Sequence, residues 1–582
     1  MTRGKGSSHE LSVSARAGWL EAHNQLAMKP RIRIAVAGAA ALLACQSPTT
    51  PSGTGGLSLS AASPAANCGQ LTDGRVQVLG PTNLTVSITP GTTKTISGLS
   101  PGTYTVGLEG LIGSDVDCFD QSTGVQVVAG QNTAVSETPT PFLPPVVTPT
   151  SAITFGRQFV VTFTGVARAG SYVIEWDTAA TFSNPSKTSI ATGTSVELTV
   201  ADTGLYHVRA RAVNAFGSSG RASPQVSTFV DRITSISTGI SHTCAVTVRK
   251  AAYCWGADSS GQLGDGATSD RARPVPVAGS LKVATLSAGH LHTCAVDKAL
   301  GAFCWGRNVS GQLGNGSTTD QTTPVQVVQF SADTLTALSA GFSHTCGAAT
   351  GRVADCWGFN GDGELGDGTF TDRASPGRVT GGLAFATVSA GESHSCGVTT
   401  AGTAYCWGDA QSGKLGNGAT TRDSAPVPVA GGLTFATVRV GSGHSCGLTT
   451  AGAAYCWGDN SQGQLGDGTM TSQPTPEAVA GGLTFVALSA GHLHNCGLTA
   501  AGAAYCWGAN FDGQVGDGTT IRRTAPVVVA GLTFVALSAG GFHTCGVTAV
   551  GVAYCWGGNG SGQLGDGSTS SSPTPVRVSN PQ

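Results

Sequence analysis

The sequence predicts an all-β protein, with a seven-bladed β-propeller over residues 231–582 preceded by two small β-sandwich domains. Three observations carry this expectation. Fourteen of the 17 cysteines fall into seven identically spaced pairs that recur with a period near 50, which marks a repeat array. Each repeat reads as four short strand-like runs separated by Gly-rich turns. Only 11% of residues are charged while glycine occurs 85 times, a composition of turns and strands rather than charged helices. The formal net charge of −2 offers no basic surplus for neutralising phosphates, so nucleic acid is not an expected partner.

Residues 1–45 form the export region. Lys29, Arg31 and Arg33 make a positive segment, Ile34 to Leu43 an apolar core, and Leu42-Leu43-Ala44-Cys45 closes it, the pattern of a signal peptide. The core is too short to span a bilayer as a helix. Met28 opens this pattern better than Met1 and is taken as the true start. The tetrapeptide resembles a bacterial lipobox, which implies acylation of Cys45; a plain secretory signal that ends in Cys is the competing reading. Gln46 lacks the acidic character that this resemblance associates with inner-membrane retention. Anchoring to the outer membrane or cell surface is therefore expected.

Residues 46–66, rich in Ser, Thr, Pro, Gly and Ala, read as a flexible tether. Over 67–140, alternating runs such as Arg75-Val76-Gln77-Val78 and Thr103-Tyr104-Thr105-Val106 between Gly/Pro turns indicate a small antiparallel sandwich, with Cys68 and Cys118 as its expected staple. Pro141–Pro149 reads as a linker. Residues 150–230 supply strand candidates at Phe159–Phe163, Ser171–Trp176 and Leu205–Asn214. This stretch resembles a fibronectin type III domain, with Phe163 standing where that family usually has Trp, and the resemblance implies a spacer or protein-binding module.

Within the propeller region, the phrase His394-Ser395-Cys396-Gly397-Val398-Thr399, the turn Thr400-Ala401-Gly402 and Ala404-Tyr405-Cys406-Trp407-Gly408 read as strand, tight turn, strand. Such a hairpin sets its cysteines opposite one another, within disulfide reach, and export makes the bond chemically favourable. The expected bonds are Cys244–Cys254, Cys294–Cys304, Cys346–Cys356, Cys396–Cys406, Cys446–Cys456, Cys496–Cys506 and Cys545–Cys555. Metal is the alternative, because His394 shares a strand face with Cys396. A fourth ligand and the short C-x₂₋₄-C knuckle are missing. The Asp-Gly or Asn-Gly dipeptide present in all seven repeats suits a turn that needs positive φ. A calcium loop is the sharper alternative there, since Asp362 and Asp367 echo an acidic loop, but no bidentate Glu follows.

The phrase "AG..H.C.vt..G.ayCWG.n..GQLGdG", seen from Ala390 to Gly418 with Lys414 in place of Gln, resembles the regulator of chromosome condensation repeat. That resemblance implies a seven-bladed propeller, to which the cysteines are an addition. The founder's nucleotide exchange on a small GTPase and its chromatin binding are not carried over. This chain carries an export signal, lacks a basic tail and shows no long insertion that could act as an exchange wedge.

No enzyme is expected. The in-register histidines (His242, His292, His344, His394, His444, His494, His543) and the tryptophans of Trp-Gly recur in every copy, and a residue needed once for chemistry would not. Gly443-His444-Ser445-Cys446-Gly447 spells a nucleophile elbow, but Ser445 lies inside a repeated strand rather than at a strand-to-helix turn. Gly408 to Lys414 begins a phosphate loop that Leu415 breaks. No cofactor or metal is expected. The function that remains is a surface-anchored scaffold or adhesion module for an unidentified protein or glycan outside the cytoplasm. Regulation or inhibition of an extracellular enzyme is the alternative, and a hydrolase or lyase comes last.

Binding is expected where the seven copies disagree, since shared positions already serve hairpins, turns and packing. The strongest disagreement precedes each repeated histidine: Ile240-Ser241, His290-Leu291, Phe342-Ser343, Glu392-Ser393, Ser442-Gly443, His492-Leu493 and Gly541-Phe542. Equivalent turns of a propeller share a face, so these residues should form a ring of aromatic, aliphatic and polar groups, the composition of an interface core. Phe359 and Phe511, in turns after Trp-Gly, mark an expected second patch. Arg439, where six copies have Ser, would put a lone cation at the channel.

Overall fold

The computed structural model describes residues 53–61, 73–89, 92–112, 115–129, 131–137, 140–149, 153–190, 193–297, 299, 301–328, 335–349 and 354–582. Met28, Cys45 and Cys68 lie outside the described residues. Regular structure within them is β throughout, apart from a single-turn 3₁₀ helix at Gln411–Gly413.

From Ile233 onward the chain forms seven four-stranded antiparallel sheets, each made of strands adjacent in sequence. The fourth is typical, with strands Phe385–Ala390, His394–Thr399, Ala404–Gly408 and Asp423–Pro428. Its second strand is flanked on both edges and on both faces, which is why His394-Ser395-Cys396-Gly397-Val398 is buried at every position. Cys396 stands directly opposite Cys406, and all seven cysteine pairs are disulfide-bonded with Cα–Cα distances of 4.1 Å, the close spacing of a non-hydrogen-bonded antiparallel pair. These thiols are not available as metal ligands. Persistent disulfides in such number point to an oxidising compartment. Among the described residues, no helix is long and apolar enough to cross a membrane.

Adjacent sheets are joined through the tryptophans. Each indole Nε1–H donates to a carbonyl in the Gly-Gln-Leu-Gly turn of the preceding sheet, as Trp305 does to Gln262 and Trp407 to Glu364. The second glycine of that turn is forced: Gly264 has φ +74, and a Cβ there would stand 2.6 Å from Trp305 Nε1. Trp255 of the first sheet donates in the same way to Gln563 of the last. The first and last repeats are therefore neighbours joined like interior ones, with no strand exchanged between them.

Before the repeats, the expected tether contains a strand, Gly55–Ala61, which pairs with Thr93–Leu99 and Asn132–Glu137. Leu57 explains the departure from composition, because it is fully buried among Val76, Val78, Ile96, Tyr104 and Val106 from two sheets. The expected linker also carries structure. Thr140–Pro141 pairs with Phe119 and Cys118, Val147–Pro149 pairs with Val161–Phe163, and Phe142 and Val147 are buried. One core runs from Leu111, Val116 and Phe119 to Phe159, Ile174 and Val208, so the segments on either side of 141–149 pack as a continuous body. Buried Glu109 ties them further, taking hydrogen bonds from Arg75, Gln77 and Asn214. Cys118 is disulfide-bonded. Leu205–Ala212 alternates inward and outward residues, while Val213 and Asn214 are both buried, and Phe163 packs on Tyr172 at 4.7 Å.

Only Arg232 separates Val226–Asp231 from the first propeller strand. Phe155 buries itself against Tyr253 at 5.2 Å, its amide donates to Asn580 Oδ1 at 3.0 Å, and Arg249 pairs with buried Asp231 at 2.9 Å. The preceding domain is thus seated on the junction of the first and last repeats.

Candidate functional site

Each innermost strand is followed by a glycine, and the residue after it donates its amide to the glycine carbonyl of the next sheet: Ile240 to Gly289, His290 to Gly341, Phe342 to Gly391, Glu392 to Gly441. The chain of bonds continues from Ser442 to His492 and from His492 to Gly540, and Gly541 returns it to Gly239. Glycine is required by this approach, since a Cβ at Gly289 would lie 2.4 Å from the Gly341 oxygen. The result is a cavity of about 110 Å³ walled by small residues such as Ala288, Ala390 and Ala490. Its rim is the first member of each variable pair: Ile240, His290, Phe342, Glu392, Ser442, His492 and Gly541.

The rim is chemically uneven. Glu392 Oε2 accepts from Ser442 Oγ and from His492 Nε2 at 2.9 Å, although His492 lies two repeats away. The His492 hydrogen bond, joined by Ser442, outweighs burial and pulls the Glu392 carboxyl down to about 2. His290 stacks on Phe342 with ring centroids 3.8 Å apart, and burial next to Arg307 lowers it to about 4. At neutral pH the mouth thus holds a fixed carboxylate and an uncharged His–Phe stack.

The second members of the pairs stand outside the cavity. Leu291 and Leu493 are half-buried, and Phe542 is exposed beside His492 at 6.1 Å. Phe359 and Phe511 are exposed in the connection between third and fourth strands. In an antiparallel sheet that connection leaves from the same end as the one between first and second strands. Backbone bonds from Phe359 to Ser343 at 2.9 Å and from Ala509 to Leu493 at 2.9 Å hold the two connections together. The aromatics expected as a second patch therefore share the face of the cavity mouth. Arg439 does not line the cavity. Its Nη1 donates to the Val438 carbonyl at 3.2 Å, whereas the serines at its place accept an amide of the next innermost strand, as Ser389 does from Val440.

The seven repeated histidines are fully buried. His242 Nε2 meets Thr293 Oγ1 at 2.9 Å, and Thr293 Oγ1 donates to the Gln262 carbonyl at 2.8 Å. The hydroxyl proton is committed, so Nε2 must carry the hydrogen and donate. The same relay recurs from His543 of the last repeat to Thr243 of the first at 2.7 Å. Burial pushes His242, His292, His494 and His543 down to about 3 and His344 and His444 to about 4, and holds His394 well below its usual value. They are neutral links between sheets. Ser445 is buried and donates to the Lys414 carbonyl at 3.1 Å, which removes it as a nucleophile.

Among the described residues, no group of three His, Cys, Asp or Glu side chains could share a metal ion. Asp367 and Asp362, the acidic residues behind the alternative calcium-loop reading, are engaged by Arg373 and Arg422. One set of organising residues is visible in the sequence only as the "n" after Trp-Gly. Asn308, Asn360, Asn460, Asn510 and Asn559 are buried and bond across the following loop.

Residues 333–582 match the RCC1-like domain model, and residues 233–262, 251–296 and 301–348 match models of the regulator of chromosome condensation (RCC1) repeat. Among solved structures, human WBSCR16 superposes with a TM-score of 0.52 at 20% identity, covering 57% of this chain and 94% of that one. Yeast RCC1 (Prp20), solved bound to Kap60, gives 0.51 at 20% identity, with 60% and 84% covered. At such identity these likenesses establish the fold. No curated protein matches the chain in sequence.

Proposed function

We propose that this chain, whose residues 233–582 form a propeller domain of the RCC1-repeat family, is an exported, lipid-anchored binding protein that holds a protein partner on the face around its channel mouth. The seven sheets are its blades, and the fibronectin-like region between anchor and propeller is a spacer seated on the closing blades. One observation carries the reading: the tryptophan and histidine links between sheets recur in all seven repeats, whereas the residues that differ most between repeats meet around one cavity. Phe342, Phe542, Phe359 and Phe511 supply the apolar area of an interface, and the oriented Glu392 carboxylate supplies a polar anchor.

Catalysis is not part of this proposal. Ser442 and His492 both bond to the same Glu392 oxygen, so the imidazole does not stand between hydroxyl and carboxylate as a general base would. The test is capture from outer-membrane and surface extracts by the immobilised mature protein, with Glu392→Gln/Phe342→Ser as comparator. A protein retained by the wild type and lost by the comparator is the expected result. Equal retention would move the interface elsewhere, and retention of polysaccharide alone would replace the protein partner by a glycan.

A further inference from the structure

The internal repeats provide a control for one residue that breaks their pattern. In five repeats the buried Asn after Trp-Gly-x works with both ends of its amide. Oδ1 accepts an amide five residues on, as Asn360 does from Leu365 at 2.9 Å. Nδ2 donates into a nest of oxygens, which for Asn360 are Asp367 Oδ1 at 3.4 Å, Thr369 O at 3.1 Å, Thr369 Oγ1 at 3.2 Å and Thr371 O at 3.2 Å. Asn308, Asn460, Asn510 and Asn559 repeat the arrangement.

In the first repeat this position is Asp258. Its Oδ1 keeps the first role, accepting from Leu263 at 2.9 Å, so Oδ2 takes the place of the amide nitrogen. There it confronts the nest that Asp265 and the carbonyls of Ala267 and Ser269 form by repeat equivalence, with nothing to donate. Oδ2 is buried and makes no hydrogen bond, in a residue 0% exposed. A second departure coincides with the first. The hydroxyl that touches the Asn amide elsewhere (Ser317, Thr369, Thr469, Thr519, Ser568) is absent, because the residue is Ala267, and room is left beside Oδ2. Asp270 adds negative charge, accepting the Asp258 amide at 2.9 Å, while the nearby Arg271 is taken by Asp265 at 3.0 Å.

We propose that Asp258 Oδ2, the Asp265 carboxylate and the carbonyl oxygens of Ala267 and Ser269 form an all-oxygen site for one hard divalent cation of calcium's size. Oxygens spaced like the 3.1–3.4 Å contacts around Asn360 Nδ2 are adjacent ligands for an ion held at ~2.3–2.6 Å. A buried carboxylate oxygen that no donor reaches is costly unless a counter-charge meets it. A lone proton would satisfy one acceptor of the nest, whereas a cation engages them all. With few protein ligands and the rest water, the affinity belongs with weak extracellular sites, Kd ~10⁻⁴–10⁻³ M. The loop so held leads into Arg271–Pro276, on which the last repeat rests through Gly567 N to Ala272 O at 2.9 Å, so the cation would brace the meeting of first and last repeats.

The experiment is calorimetric titration of the chelator-treated mature protein with calcium chloride at about pH 8, beside Asp258→Asn, with thermal unfolding of both. The wild type should bind one calcium and unfold about 1–3 °C higher at saturation, with magnesium much less effective. Asp258→Asn restores the amide of the other repeats, so it should fold, start out more stable than the calcium-free wild type and ignore calcium. Calcium uptake equal in both proteins would overturn the assignment. So would a wild type that takes up no calcium and only loses stability as pH rises past 7, since the site would then hold a proton.

Discussion

The indole Nε1–H of Trp255 donates to the carbonyl oxygen of Gln563, 308 residues later in the chain, at 2.9 Å. Interior sheets use the same bond at adjacent repeats, as between Trp407 and Glu364 at 2.8 Å. The junction of the two ends is thus built from ordinary repeat contacts rather than from a shared strand. Trp255→Phe and Trp407→Phe should then cost the same, about 1–2 kcal/mol for a buried indole that loses its hydrogen bond. Denaturant unfolding of both variants checks this. A much smaller cost for Trp255→Phe would mean that the ends separate before the interior contacts do.

The buried histidines set an acid limit on stability. Their folded values, about 3 for His242 and about 4 for His344 and His444, lie below the ordinary value near 6.5, so the unfolded chain binds more protons than the folded one. Their contribution is complete above about pH 6.5 and is lost as pH falls toward 4, at up to ~1.4 kcal/mol per pH unit for each histidine. Asp258 and Glu364, both pushed up to about 7 by burial, act in the opposite sense, favouring the fold below neutrality. Seven groups outweigh two, so the unfolding midpoint should fall steadily from pH 7 to pH 4.5. His344→Gln should lower stability at pH 7 and flatten the acid slope by about one proton. An unchanged slope would show that the histidines do not govern it.

Reading the sequence by its repeats worked where one spacing recurs seven times, because a cysteine pair ten residues apart around a tight turn admits few geometries. It failed where packing overrode composition. Phe142 and Val147 lie in a Pro-rich stretch that reads as a linker, yet both enter a core shared with Phe119 and Phe159. Gly55–Ala61 reads as tether and becomes a strand through Leu57. The rim positions were legible as variation, and their convergence on a cavity follows from sevenfold equivalence. The Glu392–His492 bond was not legible, since it joins residues 100 positions apart whose meeting depends on the diameter of the ring. Asp258 is not legible either, because an Asp in a Gly-rich turn looks ordinary until the buried asparagines at its place in five other repeats show what the place requires.

The proposed anchor makes its own demand. If Cys45 carries the lipid, the mature protein fractionates with membranes, and Cys45→Ser moves it to the soluble fraction or leaves it uncleaved. Unchanged partitioning of a variant that is still cleaved would defeat the lipidation reading and leave a plain secretory signal.

The interface can be tested without disturbing the fold, because its apolar members lie outside the disulfide-linked strands. Phe342 lines the cavity mouth, Phe542 is exposed, and Leu493 is half-buried in the turn before His494. None of the three side chains belongs to the Trp–carbonyl or His–hydroxyl links between sheets. Changing Phe342, Leu493 and Phe542 together to Ser should therefore leave the cooperative unfolding transition in place. Affinity for a captured partner should fall by at least ~2 kcal/mol, the scale of a hot-spot residue. Glu392→Gln separates charge from area: it keeps the shape, removes the carboxylate, and should reduce the salt dependence of binding more than its strength. A folded triple variant that binds with undiminished affinity would place the interface on the opposite face or on the fibronectin-like region.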